Sequence, residues 1–325
     1  METRQLGRSD LHLTPVGLGT WAMGGGHWVY SWGDQDDAAS IRTIHRAVDL
    51  GVNWIDTAPV YGLGHSEEVV GEALKGLATR PIIATKCGLT WDSGGRVIPN
   101  LRKDSILREA DASLRRLGVD AIDLYQIHWP DPRDQIEEGW DAVKRLIDAG
   151  KVRFGGVSNF SVRQMERVQA IHPIASLQPP YSLLERRIED TLPFCAENGV
   201  GVIAYSPMQK GMLTGKMSAE RVERLPEDDH RKHDPMFREP ELSVNLRFTD
   251  RLRPIAEEAG RTVAQLVVAW VLRRPEITGA IVGARKPEQF KETVQAVKWK
   301  LNETQLGRIQ RLLDERREEL RDEAS

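Results

Sequence analysis

The sequence has few cysteines, no long apolar run and no excess of either charge. Two cysteines, Cys87 and Cys195, stand among 325 residues. Neither has a neighbour at metal-ligand spacing, and they offer no disulfide framework. No apolar run is long enough to span a bilayer. The opening METRQLGRSD is polar, so no signal peptide is expected. Lysine and arginine number 45 against 48 aspartates and glutamates, a net charge of −3 with both signs spread along the chain. A nucleic-acid footprint needs a basic face, and this balance argues against one. Also missing is a G-x-G-x-x-G after the first strand. Gly24-Gly25-Gly26 is a bare triplet in an aromatic loop, so a Rossmann domain is not supported. A soluble cytoplasmic protein is the expectation.

What the chain does have is alternation. Hydrophobic content is 40% and charged content 29%, enough for a sizeable core under a solvated surface. Residues 3–6 and 11–13 flank GRSD and predict an N-terminal β-hairpin. Val16 to Thr20 is a short strand, followed by an aromatic, glycine-rich loop to Asp37. Asp36 or Asp37 can cap a helix that runs to Leu50. Further strands are expected at 53–56, 82–86, 122–128, 152–157, near Gln178, at 201–205 and at 278–282. Helices are expected from about Ser66, then at 103–117, 134–148, 161–170, 188–198, 249–259, 262–273 and 287–297, with a last one at about 303–318. Eight β-then-α units in one series favour a single closed (β/α)8 TIM barrel over residues 1–325, with the hairpin and an extra C-terminal helix. An open doubly wound sheet is the alternative.

In such a barrel the functional face is the C-terminal end of the strands. Asp56, Lys86 and His128 end three successive strands, and Tyr61 lies on the loop after Asp56. Each has an ordinary structural reading: a turn former, a surface lysine, a core histidine. Their joint placement points to one site. A nearby ammonium favours the phenolate and lowers the pKa of a tyrosine. Lys86 can supply that cation and Asp56 can hold it. A phenol tuned this way can protonate a carbonyl oxygen as hydride reaches the carbon, or deprotonate an alcohol in reverse. His128 can donate to the same oxygen. No side chain supplies a hydride, so a cofactor must. Arg285 and Lys286 precede Pro287 at a predicted helix start, a place suited to a phosphate.

The stretches VGLGTW, NWIDTAPVYGLGHSEEVVGEAL, ATKCG, DLYQIHWPD, GVSNF, LQPPYSLL, AYSPMQKGMLTGK and IVGARKPEQ run in order through nearly the whole chain. On these the sequence resembles the aldo-keto reductase superfamily, most of all its bacterial branch that also resembles potassium-channel β subunits. The resemblance implies a catalytic tetrad of Asp56, Tyr61, Lys86 and His128, with Tyr61 as general acid and base. It implies NADPH as cofactor, bound at the barrel mouth. Ser158, Asn159 and Gln178 match the positions that hold the nicotinamide carboxamide, and Tyr205 the aromatic that stacks on the ring. Thr20, Trp21, Asp56 and the stretch Ser206, Pro207, Met208, Gln209, Lys210 and Gly211 match segments lining the dinucleotide. Lys216 matches a lysine near the pyrophosphate, and Gly283, Ala284, Arg285, Gln289 and Thr293 fall at the adenosine end. Gln289 and Thr293 depart from an arginine and an asparagine that many members carry there.

The implied activity is reversible, NADPH-dependent reduction of aldehydes or ketones to alcohols. Its partner is a small carbonyl or alcohol, and a homo-oligomer is compatible with it. The alternatives are a nucleotide-bound regulatory or redox-sensing subunit, with Cys87 beside Lys86, and a redox-neutral isomerase. Trp21, Trp28, Trp32, Trp91 and Trp129 fall on loops at the same face and suit an apolar substrate. His230 and His233 lie beside Asp228, Asp229 and Asp234. Because Met217 to Leu242 has no hydrophobic stripe, that stretch is expected to be a mobile solvated loop, and no metal is assigned to it.

Overall fold

The computed structural model describes residues 1–26 and 28–323. Eight parallel strands close into a barrel in sequence order. They are Val16–Gly19, Trp54–Asp56, Ile82–Cys87, Ile122–Ile127, Val152–Ser158, Ser176–Gln178, Gly201–Ala204 and Ile277–Gly283. The last strand pairs with the first, Ala280 opposite Val16 and Gly283 opposite Gly19, so no edge is left open. The expected barrel therefore stands, and the open sheet does not.

The closed end is packed by the predicted hairpin. Arg4–Gln5 pairs with His12–Leu13, and Leu6, Leu11 and Leu13 are buried with Trp54, Ala84, Leu124 and Ile203 inside the barrel. Trp54 crosses this end and donates its indole N–H to the Thr14 carbonyl at 2.8 Å. Glycine is required around it. A Cβ on Gly17 would sit 2.1 Å from the Trp54 ring.

The helices follow from their caps. Asp36 accepts from the Ala38 and Ala39 amides and starts Asp37–Asp49. Ser161 and Gln164, and again Thr262 and Gln265, form capping boxes at the starts of Val162–Gln169 and Val263–Leu272. The expected helix at 188–198 is instead a 3-10 turn, Arg187–Asp190, and a helix, Leu192–Asn198, with Pro193 in its first turn. The helix at 287–297 likewise changes to 3-10 geometry after Thr293. The last helix is longer than expected, Glu303–Asp322, and is capped by Asn302. In the charged RREELRDEAS tail, Ala324 and Ser325 lie outside the described residues.

Two expectations need correction. A second hairpin, Leu89–Trp91 with Val97–Pro99, stands between the third strand and its helix. Asp92 turns it, accepting from the amides of Gly94 and Arg96. The stretch Met217 to Leu242 is also not a solvated loop. It winds through Ala219–Glu223 and two 3-10 turns, and the next helix begins at Glu241 rather than 249. Met212, Val222, Leu225, Phe237 and Leu242 form a separate small core beneath it. Val222 and Phe237 come from separate short elements, and the turn His230–His233 between them buries Arg231 instead, so no periodic stripe forms. Among the described residues, no helix is long and apolar enough to cross a membrane.

Candidate active site

Asp56, Lys86 and His128 arrive at one end of the barrel because their strands are adjacent and parallel. Asp56 lies opposite Gly19 and Ala84, and Lys86 opposite Gln126. His128 follows its strand directly and donates its amide to the Cys87 carbonyl at 3.0 Å. Tyr61 is set by a tight turn whose amide bonds Ala58. The next residue must be glycine. Gly62 has φ +64, and a Cβ there would lie 2.1 Å from the Gly24 carbonyl oxygen. That close approach presses the Tyr61 loop against the aromatic loop. Trp21 stacks on Tyr61 at 6.1 Å, and His128 meets it edge-on at 5.9 Å.

The polar centre is dense. Lys86 Nζ donates to Asp56 Oδ1 at 2.7 Å, to the Thr57 carbonyl at 2.9 Å and to the Tyr61 hydroxyl at 3.2 Å. All three ammonium donors are therefore used. The other Asp56 oxygen accepts from Gln178 Nε2 at 2.8 Å. Behind Lys86, Thr85 donates to the buried Glu67, which also takes Arg116. Glu109 accepts from the Gly88 amide and from Ser105.

Burial decides the protonation states. It pushes the Tyr61 phenol well above its ordinary range, and the Asp56 carboxylate adds to this. The expected lowering by Lys86 is thus outweighed. Burial lowers Lys86, against the opposing pull of Asp56. It holds His128 well below the usual imidazole range, with the Lys86 charge adding. His128 is therefore neutral at neutral pH, and Tyr61 keeps its proton. Burial also drives the Cys87 thiol well up, which removes the thiolate that redox sensing needs.

A cavity of about 790 Å³ opens above this centre. Tyr61, Asp56 and His128 reach it, while Lys86 lies underneath. One side is apolar, with Trp28, Val60, Leu89, Val97 and Trp129, so the unexpected second hairpin forms part of the wall. Trp91 does not line it. The other side carries Thr20, Trp21, Ser158, Asn159, Gln178, Tyr205, Ser206, Pro207, Met208, Lys210, Gly211 and Lys216. It ends at Gly283, Ala284, Arg285, Gln289 and Thr293. Of the expected dinucleotide residues, Gln209 alone is turned inward and away from the cavity. Ser206, Gln209 and Lys210 hold φ of 53°, 43° and 53°, a left-handed run that bends the chain round this wall.

Several of these side chains hold one another. Asn159 donates to the His128 carbonyl and to Ser158, and accepts from the Tyr205 hydroxyl at 2.9 Å. Lys216 pairs with Glu292, and Lys210 with Asp234. Arg285 reaches Gln35 and the carbonyls of Trp32 and Asp34. Gln289 accepts from the Arg285 and Lys286 amides, so its side chain caps the helix Pro287–Thr293.

The long stretch after the seventh strand can be expected to fold across the barrel mouth, but the sequence does not single out His230, Arg231 and Arg221 as the residues it brings to this cavity. Ser31 binds Asp228, and the His230 amide binds the Ser31 carbonyl, which ties the stretch after the seventh strand to the first loop. Arg231 pairs with Asp229 and stacks on Trp32 at 4.5 Å. Among the described residues, no group of three metal-ligating side chains comes together.

The family model for the Aldo/keto reductase family matches residues 15–314. An aldo-keto reductase of Bacillus subtilis (strain 168) is 40% identical over 318 residues, which is 97% of this chain and 94% of that protein. The NADH-specific methylglyoxal reductase of Escherichia coli (strain K12) is 34% identical, covering 93% of this chain and 95% of its own. Among solved structures, a glycerol dehydrogenase from Gluconobacter oxydans superposes with a TM-score of 0.86 at 41% identity, over 97% of this chain and 96% of that one. An aldo-keto reductase from Bacillus halodurans gives a TM-score of 0.79 at 30% identity, over 96% of each chain.

Proposed function

The chain belongs to the aldo/keto reductase family of oxidoreductases, and we propose that within it the protein reduces aldehydes or ketones reversibly with Tyr61 as the proton donor. The observation that carries this reading is the Lys86 ammonium. It lies between the Asp56 carboxylate and the Tyr61 hydroxyl, directly under the cavity floor.

In the reducing direction the work divides as follows. A carbonyl oxygen seated on Tyr61 takes the phenol proton. The phenolate left behind is stabilised by the Lys86 ammonium 3.2 Å away, which Asp56 fixes in place. His128, being neutral, can donate to the same oxygen and orient it. Because burial holds Tyr61 protonated, reduction starts from the ready state. Alcohol oxidation must first make the phenolate, so it should be slower at neutral pH.

A nicotinamide dinucleotide would supply the hydride. The donor set fits one: Ser158, Asn159, Gln178 and Tyr205 line the same cavity as Lys216 and Arg285, and the Tyr205 hydroxyl donates to Asn159. For the adenosine end we favour NADPH, because Arg285 and Lys286 adjoin a helix start. The use of Gln289 as a cap, and an NADH-specific relative, make NADH the competitor.

The test is NADPH and NADH consumption by the purified chain over a panel of apolar aldehydes, ketones, methylglyoxal and glyceraldehyde. Faster oxidation of NADPH with at least one carbonyl is expected. Tight nucleotide binding with no turnover on any of them would replace the reductase reading with a regulatory one.

A further inference from the structure

Two polar atoms at the rim of the cavity are buried and have no protein partner among the described residues: the indole nitrogen of Trp32 and Nε2 of His230. Their rings are 5.5 Å apart, and both side chains line the cavity that holds Tyr61. The His230 tautomer follows from its other nitrogen. Nδ1 lies 3.3 Å from the Ser31 carbonyl oxygen, which only accepts. Nδ1 therefore carries the proton, and Nε2 is a bare acceptor. Burial, with the Lys210 charge adding, lowers His230 to about 4, so the ring is neutral at neutral pH. Trp32 offers the reverse, a donor and nothing else.

A buried donor and a buried acceptor on neighbouring rings call for a ligand group that both accepts and donates. A carbonyl or a phosphate oxygen would satisfy Trp32 and leave His230 facing a lone pair. An ammonium would do the opposite. A hydroxyl satisfies both. We propose that Trp32 and His230 form a hydroxyl-binding subsite, with Trp32 donating to the ligand hydroxyl and His230 accepting from it. Trp21 touches both Tyr61, at 6.1 Å, and His230, at 4.9 Å, so the subsite lies one indole away from the reacting centre. The hydroxyl comes either from a ribose of the dinucleotide or from a polyhydroxylated substrate. The inference rests on the reductase reading for its ligands.

Binding titrations on the full chain test it without turnover. Tryptophan fluorescence is followed for wild type, His230→Phe, His230→Gln and Trp32→Phe. Each is titrated with NADH and NADPH, and then with glyceraldehyde and with propanal in the presence of NADP+. His230→Phe keeps an aromatic ring and removes the acceptor; Trp32→Phe removes the donor. About a tenfold loss is expected, the size of one buried hydrogen bond. Loss for both dinucleotides assigns the hydroxyl to a ribose. Loss for glyceraldehyde but not propanal assigns it to the substrate. His230→Gln retains an acceptor and should recover most of either loss. Unchanged affinities in both phenylalanine variants would leave only a bridging water and overturn the proposal. Equal losses for glyceraldehyde and propanal in both His230 variants, with the dinucleotides unaffected, would mean altered packing and overturn it too. Propanal turnover by wild type is scored separately, so failure of the reductase reading would show there and not in the titrations.

Discussion

Replacing Lys86 by methionine removes an ammonium from a site that water does not reach. The lysine and aspartate side chains of the pair are 1% and 4% exposed. After the change, Asp56 keeps one hydrogen bond, from Gln178, and the Thr57 carbonyl loses its side-chain donor. Breaking a buried ion pair by deleting one partner costs about 3–5 kcal/mol, because the remaining charge is uncompensated. Lys86→Met should therefore lower the unfolding free energy in urea by about that amount. Adding Asp56→Asn removes the stranded charge, so the double variant should be more stable than Lys86→Met alone. Carbonyl reduction should behave differently. It should fall with Lys86→Met and not recover in the double variant, since groups acting as one unit do not lose activity additively. Urea melts and initial rates on Lys86→Met, Asp56→Asn and the double variant read both quantities. Stability losses that simply add would refute the coupling. A Lys86→Met protein as stable as wild type would mean that the pair carries no ionic contact in the fold.

Arg285→Ala should weaken NADPH more than NADH, by about 10-fold or more if a charged hydrogen bond to the extra phosphate is lost. Equal losses in fluorescence titrations would leave Arg285 only its anchoring of Trp32 and Asp34. Glu109 is raised by burial from the ordinary 4.5 to about 7. A carboxyl raised in this way contributes stability that is complete below pH about 4.5 and is lost as pH rises through about 7. The gap in melting temperature between wild type and Glu109→Gln should shift in that window, by at most about 3 kcal/mol of stability; a constant gap from pH 4.5 to 8 would show that Glu109 is ionised throughout.

Much of the site could be read from the chain because a strand end is a local feature. Asp56, Lys86 and His128 close apolar runs, and eight such runs in series put their ends on one face. The partners that set these groups are different. Gln178 bonds Asp56 across 122 positions, and no spacing announces that pair. His230 reaches the cavity by bonding a carbonyl about 200 residues earlier, through turns too short to leave a periodic pattern. The Leu89–Pro99 hairpin did leave a signal. Asp92, Ser93, Gly94 and Gly95 separate two runs rich in β-formers, which is a hairpin pattern. The Tyr61 pKa could not be read from a neighbouring lysine, because its sign depends on how completely the phenol is buried.

Carbonyl reduction at this site stands on the Tyr61 proton. The direct measurement is the rate of a single turnover by Tyr61→Phe, with dinucleotide already bound and an activated aldehyde added. Phenylalanine keeps the ring that stacks on Trp21 and meets His128, so dinucleotide affinity should match wild type. The rate of hydride transfer should drop about 10²–10⁴-fold, the range of general acid catalysis. Hydride transfer near the wild-type rate, with binding intact, would contradict the assignment and move the proton donor to another group.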